Sequence, residues 1–150
     1  MNEDAKKRAL QLLDKRDYSR KMLIDKLTEK GASDGDAAEV ADWLCELGVV
    51  NDARFAELIV RHYAAKGYGE RRIRDELYRR GIDRDLWDEA LTQLSGPEET
   101  AYGLLCAKLR GDVSEAGVKR AEAALLRRGF SWQEIRPALE RYLNTNEEEP

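Results

Sequence analysis

The run Lys66-Gly67-Tyr68-Gly69-Glu70-Arg71-Arg72-Ile73-Arg74-Asp75-Glu76-Leu77-Tyr78-Arg79-Arg80-Gly81-Ile82 carries the full punctuation of one helix. Gly67 and Gly69 interrupt whatever precedes it. Glu, Arg and Leu, which lose little side-chain entropy in a helix, fill the middle. Gly81 suits the left-handed position just past a helix end. Ile73 and Leu77 stand eight and four residues before Gly81, on one helix face, and nearly everything else is charged. The spacing predicts a helix over Glu70–Arg80 with a single apolar stripe.

The same cycle occurs three times. Gly31, Gly81 and Gly129 are 50 and 48 residues apart, near the upper end of the range for helical repeats. Leu27, Leu77 and Leu125 stand four residues before them, and Leu23, Ile73 and Ala121 eight before. Downstream, Ala37, Val40, Ala41 and Leu44 correspond to Trp87, Ala90, Leu91 and Leu94, and to Ile135, Ala138, Leu139 and Tyr142. Each set spells an amphipathic helix. Upstream, Asp17-Tyr18-Ser19 corresponds to Gly67-Tyr68-Gly69, while in the looser third copy Gly117 aligns with Gly69.

Each copy therefore reads as three helices: Ala5–Arg16, Ser19–Lys30 and Asp36–Leu47; Ala53–Lys66, Glu70–Arg80 and Arg84–Leu94; Pro97–Arg110, Glu115–Arg128 and Trp132–Leu143. Asp52, Asp83 and Ser131 read as N-caps, and Ser131 with Glu134 as a capping box. Pro97 suits a first helical turn, and Gly31, Gly48, Gly67, Gly81, Gly111 and Gly129 suit left-handed helix ends. A helix of about 12 residues is too short to stand alone, so packing must hold it. The expected fold is all-α, with three tandem three-helix repeats at 1–48, 49–95 and 96–143 forming an elongated, curved body. Residues 144–150 hold Glu147, Glu148 and Glu149 with no apolar anchor, and read as a disordered acidic tail.

Hydrophobic residues make up 42% of the chain and charged residues 37%, enough for a core beneath a densely charged exterior. The net charge of −4 argues against a generic nucleic-acid binder, yet basic residues crowd the middle. Units two and three carry Arg72 with Arg79 and Arg120 with Arg127, nine and two residues before the repeat Gly. Positions seven apart lie within about 20° around a helix, so each pair makes a basic ridge beside the apolar face. The first unit has Met22 and Glu29 there. The simple reading of Lys30, Arg80 and Arg128 is a cation favouring a helix C-terminus, and a solvated charged face accounts for the rest. Against it, the cluster is richer in Arg than in Lys, and Arg suits bidentate contacts to carboxylate or phosphate. Candidates for partner or DNA contact are Arg71, Arg72, Arg74, Arg79, Arg80, Lys119, Arg120, Arg127 and Arg128.

Catalysis finds no foothold in the sequence. His62 is the only His, and nothing pairs it with Cys45 or Cys106 as base to nucleophile. No metal-ligand spacing or phosphate-binding loop occurs, so no metal or cofactor is expected. No run approaches the roughly 20 apolar residues needed to span a bilayer. Met1-Asn2-Glu3-Asp4 lacks the layout of a secretory signal, and two cysteines without a CxxC read as small buried groups. The expected location is the cytoplasm, and the expected state a monomer. Trp43, Trp87 and Trp132, one per copy, read as packing residues.

The run from Lys66 to Ile82, together with Val50-Asn51-Asp52-Ala53-Arg54-Phe55-Ala56, resembles the RecX regulatory protein family. The resemblance covers essentially the whole chain: strong in the second repeat, moderate in the first (Arg16-Asp17-Tyr18-Ser19 and Leu27-Thr28-Glu29-Lys30-Gly31), weak in the third. Of the motif residues, Asp52, Phe55, Gly67, Gly69, Ile73, Leu77 and Gly81 read as mainly structural: a cap, core side chains and tight turns. The resemblance implies a non-enzymatic regulator that lies in the groove of the RecA filament on DNA. It would damp ATP hydrolysis, strand exchange and repressor autocleavage, with weak single- or double-stranded DNA binding as in some members. The residues themselves leave open a helical DNA-binding module or a scaffold for another protein.

Overall fold

A computed structural model describes residues 1–147, and within them every regular element is helical. The helices are α1 (Glu3–Lys15), α2 (Arg20–Glu29), α3 (Asp34–Glu46), α4 (Asp52–Ala65), α5 (Glu70–Arg79), α6 (Trp87–Leu91, entered through a 3-10 turn at Arg84–Leu86), α7 (Pro97–Leu109), α8 (Glu115–Arg127) and α9 (Trp132–Glu147). The chain separates into two compact units. One is Met1–Ile59 with Glu76–Ala90; the other is Val60–Asp75 with the described residues from Leu91 on.

In the first unit, α1, α2 and α3 close on Ala5, Ala9, Leu23, Leu27, Ala37, Val40, Ala41 and Leu44. The expected stripes are the buried ones, and small Ala side chains let short helices approach closely. Polar residues stop and start the helices. Asn2, Ser19 and Ser33 accept hydrogen bonds from the backbone N–H groups of Ala5, Met22 and Asp36 at 2.9, 3.1 and 3.1 Å. Each such cap stabilises by about 1 kcal/mol.

Asp52 is not the cap of α4. Asn51 holds that place, accepting the Arg54 N–H at 3.0 Å. The Asp52 carboxylate instead reaches back to accept the Arg20 N–H at 2.9 Å, satisfying one of the orphan donors at the start of α2. Phe55 is half-buried rather than in the core. The Trp87 indole N–H donates to the Ile82 carbonyl at 3.0 Å, which lets this large ring be buried without an orphan donor.

In the second unit, α7, α8 and α9 enclose Ala101, Leu105, Leu109, Ala121, Leu125, Phe130, Ile135, Ala138 and Tyr142. Pro97 sits in the first turn of α7, and the capping box is present. The Ser131 N–H donates to Glu134 Oε1 at 2.8 Å, and the Glu134 N–H to Ser131 Oγ at 3.2 Å. Gly31, Gly48, Gly67, Gly81, Gly111 and Gly129 all have positive φ, between 70° and 106°.

Two expectations about helix extent also need correction. The helix expected over Arg84–Leu94 ends at Leu91. There the Leu94 N–H closes a tight turn onto the Leu91 carbonyl at 3.0 Å, leaving Leu94 half-buried. The segment expected to be disordered from Asn144 is helical through Glu147. The Thr145 hydroxyl and the Asn146 amide bond back to the carbonyls of Arg141 and Tyr142, each at 2.8 Å, so polar side chains carry the last turn without apolar help. Residues 148–150 lie outside the described residues.

Candidate functional site

Two joints organise the basic residues. In the first unit Ser19, fully buried, donates its hydroxyl hydrogen bond to the carbonyl of Arg80. In the second unit the Gly69 N–H donates to the carbonyl of Arg128 at 2.7 Å, and the Arg71 N–H to that of Gly129 at 3.3 Å. Ser19 and Gly69 occupy equivalent positions, and Arg80 and Arg128 each precede a repeat Gly. The same contact is therefore made twice: the start of one middle helix meets the turn that follows the next.

The second joint is the tighter. A Cβ on Gly69 would lie 2.6 Å from the Gly129 carbonyl carbon, and one on Gly129 would lie 2.6 Å from the Arg72 nitrogen. Two chains of backbone meet here without side chains between them, which only paired glycines allow.

The joint uses several of the arginines that the sequence offered for binding. Arg71 donates from Nη2 to the Leu126 carbonyl at 3.1 Å, and Arg128 from Nη1 to the Lys66 carbonyl at 2.9 Å. The guanidinium groups of Arg72 and Arg128 stack on the Tyr68 ring, 5.1 and 5.6 Å from its centroid. Arg74 pairs with Glu70 at 3.1 Å and Lys119 with Glu115 at 3.2 Å. In the first unit, Arg79 and Arg80 both close on Glu76, a carboxylate only 4% exposed.

Arg72 and Arg79 thus belong to separate settings, although one helix carries both. Of the family-motif residues, Ile73 and Leu77 are fully buried. Gly67 and Gly81 take the left-handed turns at φ 82° and 70°.

Arg120 and Arg127 differ from the rest. Both are exposed on α8, and among the described residues no carboxylate lies within ion-pairing distance of either. They line one groove of about 400 Å³ with Lys108, Leu109, Asp112, Gly117, Ala121, Ala123 and Ala124. The seven-residue spacing read from the sequence therefore does bring two guanidinium groups to one face. Lys108 was not a sequence candidate; it arrives from α7, and no local spacing connects it to α8. Among the described residues Asp112 is the one carboxylate lining the groove. Hydrogen bonds from Ser114, first from its backbone N–H at 2.8 Å, hold the Asp112 carboxyl below its ordinary pKa, with Arg120 adding to the effect. It stays ionised, and the described lining carries three cations against one anion.

Elsewhere the chemistry is sparse. His62 is exposed and packs edge-on against Tyr63 at 5.0 Å. Cys45 and Cys106 are free and half-buried. Burial, with Asp52 and Asp42 nearby, pushes the Cys45 thiol up against the opposing influence of Arg20. Among the described residues no cluster of His, Cys, Asp or Glu is placed to hold a metal ion, and no helix is long and apolar enough to cross a membrane.

Comparison with known proteins places this geometry. Residues 5–44 match the model of the first three-helix domain of RecX, and residues 51–91 that of the second. The regulatory protein RecX of Chromohalobacter salexigens is 35% identical over 136 residues, covering 87% of this chain and 88% of the relative. That of Stenotrophomonas maltophilia strain R551-3 is 39% identical over 134 residues, covering 87% and 82%. Among solved structures, RecX from Lactobacillus salivarius superposes with a TM-score of 0.80 at 24% identity, covering 93% of this chain and 94% of the other. That last likeness concerns the fold.

Proposed function

The chain belongs to the RecX family of regulatory proteins, and on that premise we propose that it binds the RecA filament on DNA and restrains its ATP hydrolysis, strand exchange and coprotease activity. The observation that carries the reading is the open groove on α8, where Arg120, Arg127 and Lys108 gather without ion-pair partners among the described residues in a chain whose curated relatives are regulatory proteins. A regulator that acts by binding needs exposed charge, and cations outside ion pairs are what such a molecule can offer an acidic protein surface. Within the second unit Arg71 and Arg128 are spent on backbone carbonyls, Arg72 stacks on Tyr68, and Arg74 and Lys119 pair with carboxylates of their own helices; Arg79 and Arg80 close on Glu76 in the first unit. The protein works in the cytoplasm, as a monomer, beside the DNA-bound filament.

The test is inhibition of RecA ATPase on single-stranded DNA. Arg120→Glu with Arg127→Glu replaces two exposed residues, so circular dichroism and the thermal midpoint stay as in the wild type. Inhibitory potency falls at least tenfold, and wild-type potency declines with added salt as the screening length shortens. Undiminished inhibition by the folded double variant removes this groove from the mechanism. A steep salt-dependent affinity for DNA in the absence of RecA would support the reading as a DNA-binding module instead.

A further inference from the structure

We propose that the groove on α8 is a repeat-docking face without a docked turn, open along Arg120, Ala121, Ala124 and Arg127 beyond Asp112, and that it takes an acidic helix–turn element of the partner protein rather than nucleic acid or a second copy of the chain. The inference rests on the filament-binding reading and names what the groove holds.

The two joints show what this face is built to accept. On α2 and on α5 the start of the middle helix is covered by the turn following the next middle helix. Ser19 meets the Arg80 carbonyl, and Gly69 and Arg71 meet those of Arg128 and Gly129. α8 is the third middle helix by the same register, with Gly117 aligned to Gly69 and Arg120 to Arg72. Among the described residues no later turn docks on its corresponding face, where Asp112 and Ser114 of the chain's own preceding turn cover Gly117 and leave the rest open. That open part is a groove floored by Leu109, Ala121 and Ala124, and Ala121 and Ala124 are side chains small enough for another helix to approach closely. Helix-in-groove recognition needs such an apolar floor; a phosphate backbone gains nothing from it. The overall charge of −4 also works against a polyanion as the occupant.

Charge decides the rest. Arg120 and Arg127 are seven residues apart on one helix, roughly 10.5 Å along its axis. That is also the distance between carboxylates seven residues apart on a second helix laid alongside. Arg forks suit carboxylates bidentately. A second copy would have to present the turn after α2, since that is the equivalent element not already engaged in a joint. Arg8 and Lys30, with Asp4, line one pocket beside Gly31 there, and with Lys15 they line a neighbouring one. Cations outnumber carboxylates on both faces, and such like-charge opposition disfavours head-to-tail stacking of the chain on itself.

The experiment uses the full chain with p-benzoylphenylalanine in place of Ala123, a half-buried residue lining the groove. It is irradiated with RecA filaments on single-stranded DNA, and the cross-linked peptides are mapped by mass spectrometry. The expected product joins position 123 to a helix–turn segment of RecA carrying at least two carboxylates. It falls at least tenfold when Arg120→Glu and Arg127→Glu are added. Cross-linking to the DNA, to a second copy, or to a segment without carboxylates overturns the inference, as does a yield unchanged by the charge reversals. Absence of any cross-link while the photo-reactive chain still inhibits RecA ATPase overturns the inference and leaves the filament reading standing. A wild-type chain that leaves RecA ATPase untouched overturns both.

Discussion

Replacing Gly69 by alanine tests the backbone joint directly. The added Cβ would sit 2.6 Å from both the carbonyl carbon and oxygen of Gly129 and 2.7 Å from the Phe130 nitrogen, where ordinary contact begins at 3.4 Å. One wall must retreat by roughly 0.8 Å, and that wall is main chain pinned by its own helix turns, so it cannot rotate away like a side chain. The retreat stretches the Gly69 N–H bond to Arg128, now 2.7 Å, and the Arg71 N–H bond to Gly129, now 3.3 Å. Each such bond contributes about 0.5–1.5 kcal/mol, and overpacking costs about 1–3 kcal/mol. Alanine also stiffens the unfolded chain, which offsets about 0.4–1 kcal/mol. The net expectation is a loss of about 3 kcal/mol in the second unit. Guanidinium denaturation followed by fluorescence reads the stability, and hydrogen exchange at the Arg71 amide locates the change. Gly103→Ala is the control. Gly103 lies within α7 with nothing within 4 Å of its would-be Cβ, and alanine there stabilises by up to about 1 kcal/mol. If Gly69→Ala unfolds within 0.5 kcal/mol of the wild type, the two backbones are not in contact and the joint as described is wrong.

Three further outcomes follow from the geometry. Ser131→Ala removes half of the capping box and destabilises by about 1 kcal/mol in thermal or chemical melts; an unchanged midpoint would deny the cap any part in holding α9. Glu76→Gln removes the buried anion between Arg79 and Arg80, whose side chains are 65% and 27% exposed. Because water can reach both cations, the cost is about 1–3 kcal/mol, below that of a fully buried pair, and denaturation midpoints measure it. Cys45 alkylates along a pH profile displaced above that of the same thiol in urea, because its pKa is raised in the fold. The sign follows: this thiol favours the fold below its unfolded pKa, and that contribution disappears as pH rises through the higher folded value. Coincident folded and unfolded profiles would contradict the burial described for it.

The helices were legible because their ends are written in local chemistry. Left-handed glycines, Ser caps and the Ser131–Glu134 box act within one turn, so reading along the chain finds them. Asn51 and Asp52 show where local reading stops. Both can cap, and only the distant Arg20 amide draws Asp52 away from α4. The arginines repeat that lesson at larger scale. Arg71 and Arg128 bond carbonyls 55 and 62 residues away, a separation at which no periodicity operates. Arg120 and Arg127 were readable as a pair because a single helix carries both. Lys108, which completes their groove, comes from another helix and was not.

The two joints share an acceptor but not a donor: a hydroxyl fills the role at position 19, a peptide amide at position 69. The carbonyl just ahead of each repeat glycine therefore behaves as a standard socket that tolerates different plugs. An engineer grafting a further three-helix copy after α8 would need to supply such a socket and clear Asp112 from above Gly117. The identity of the residue that plugs in could then be chosen for other reasons, such as solubility.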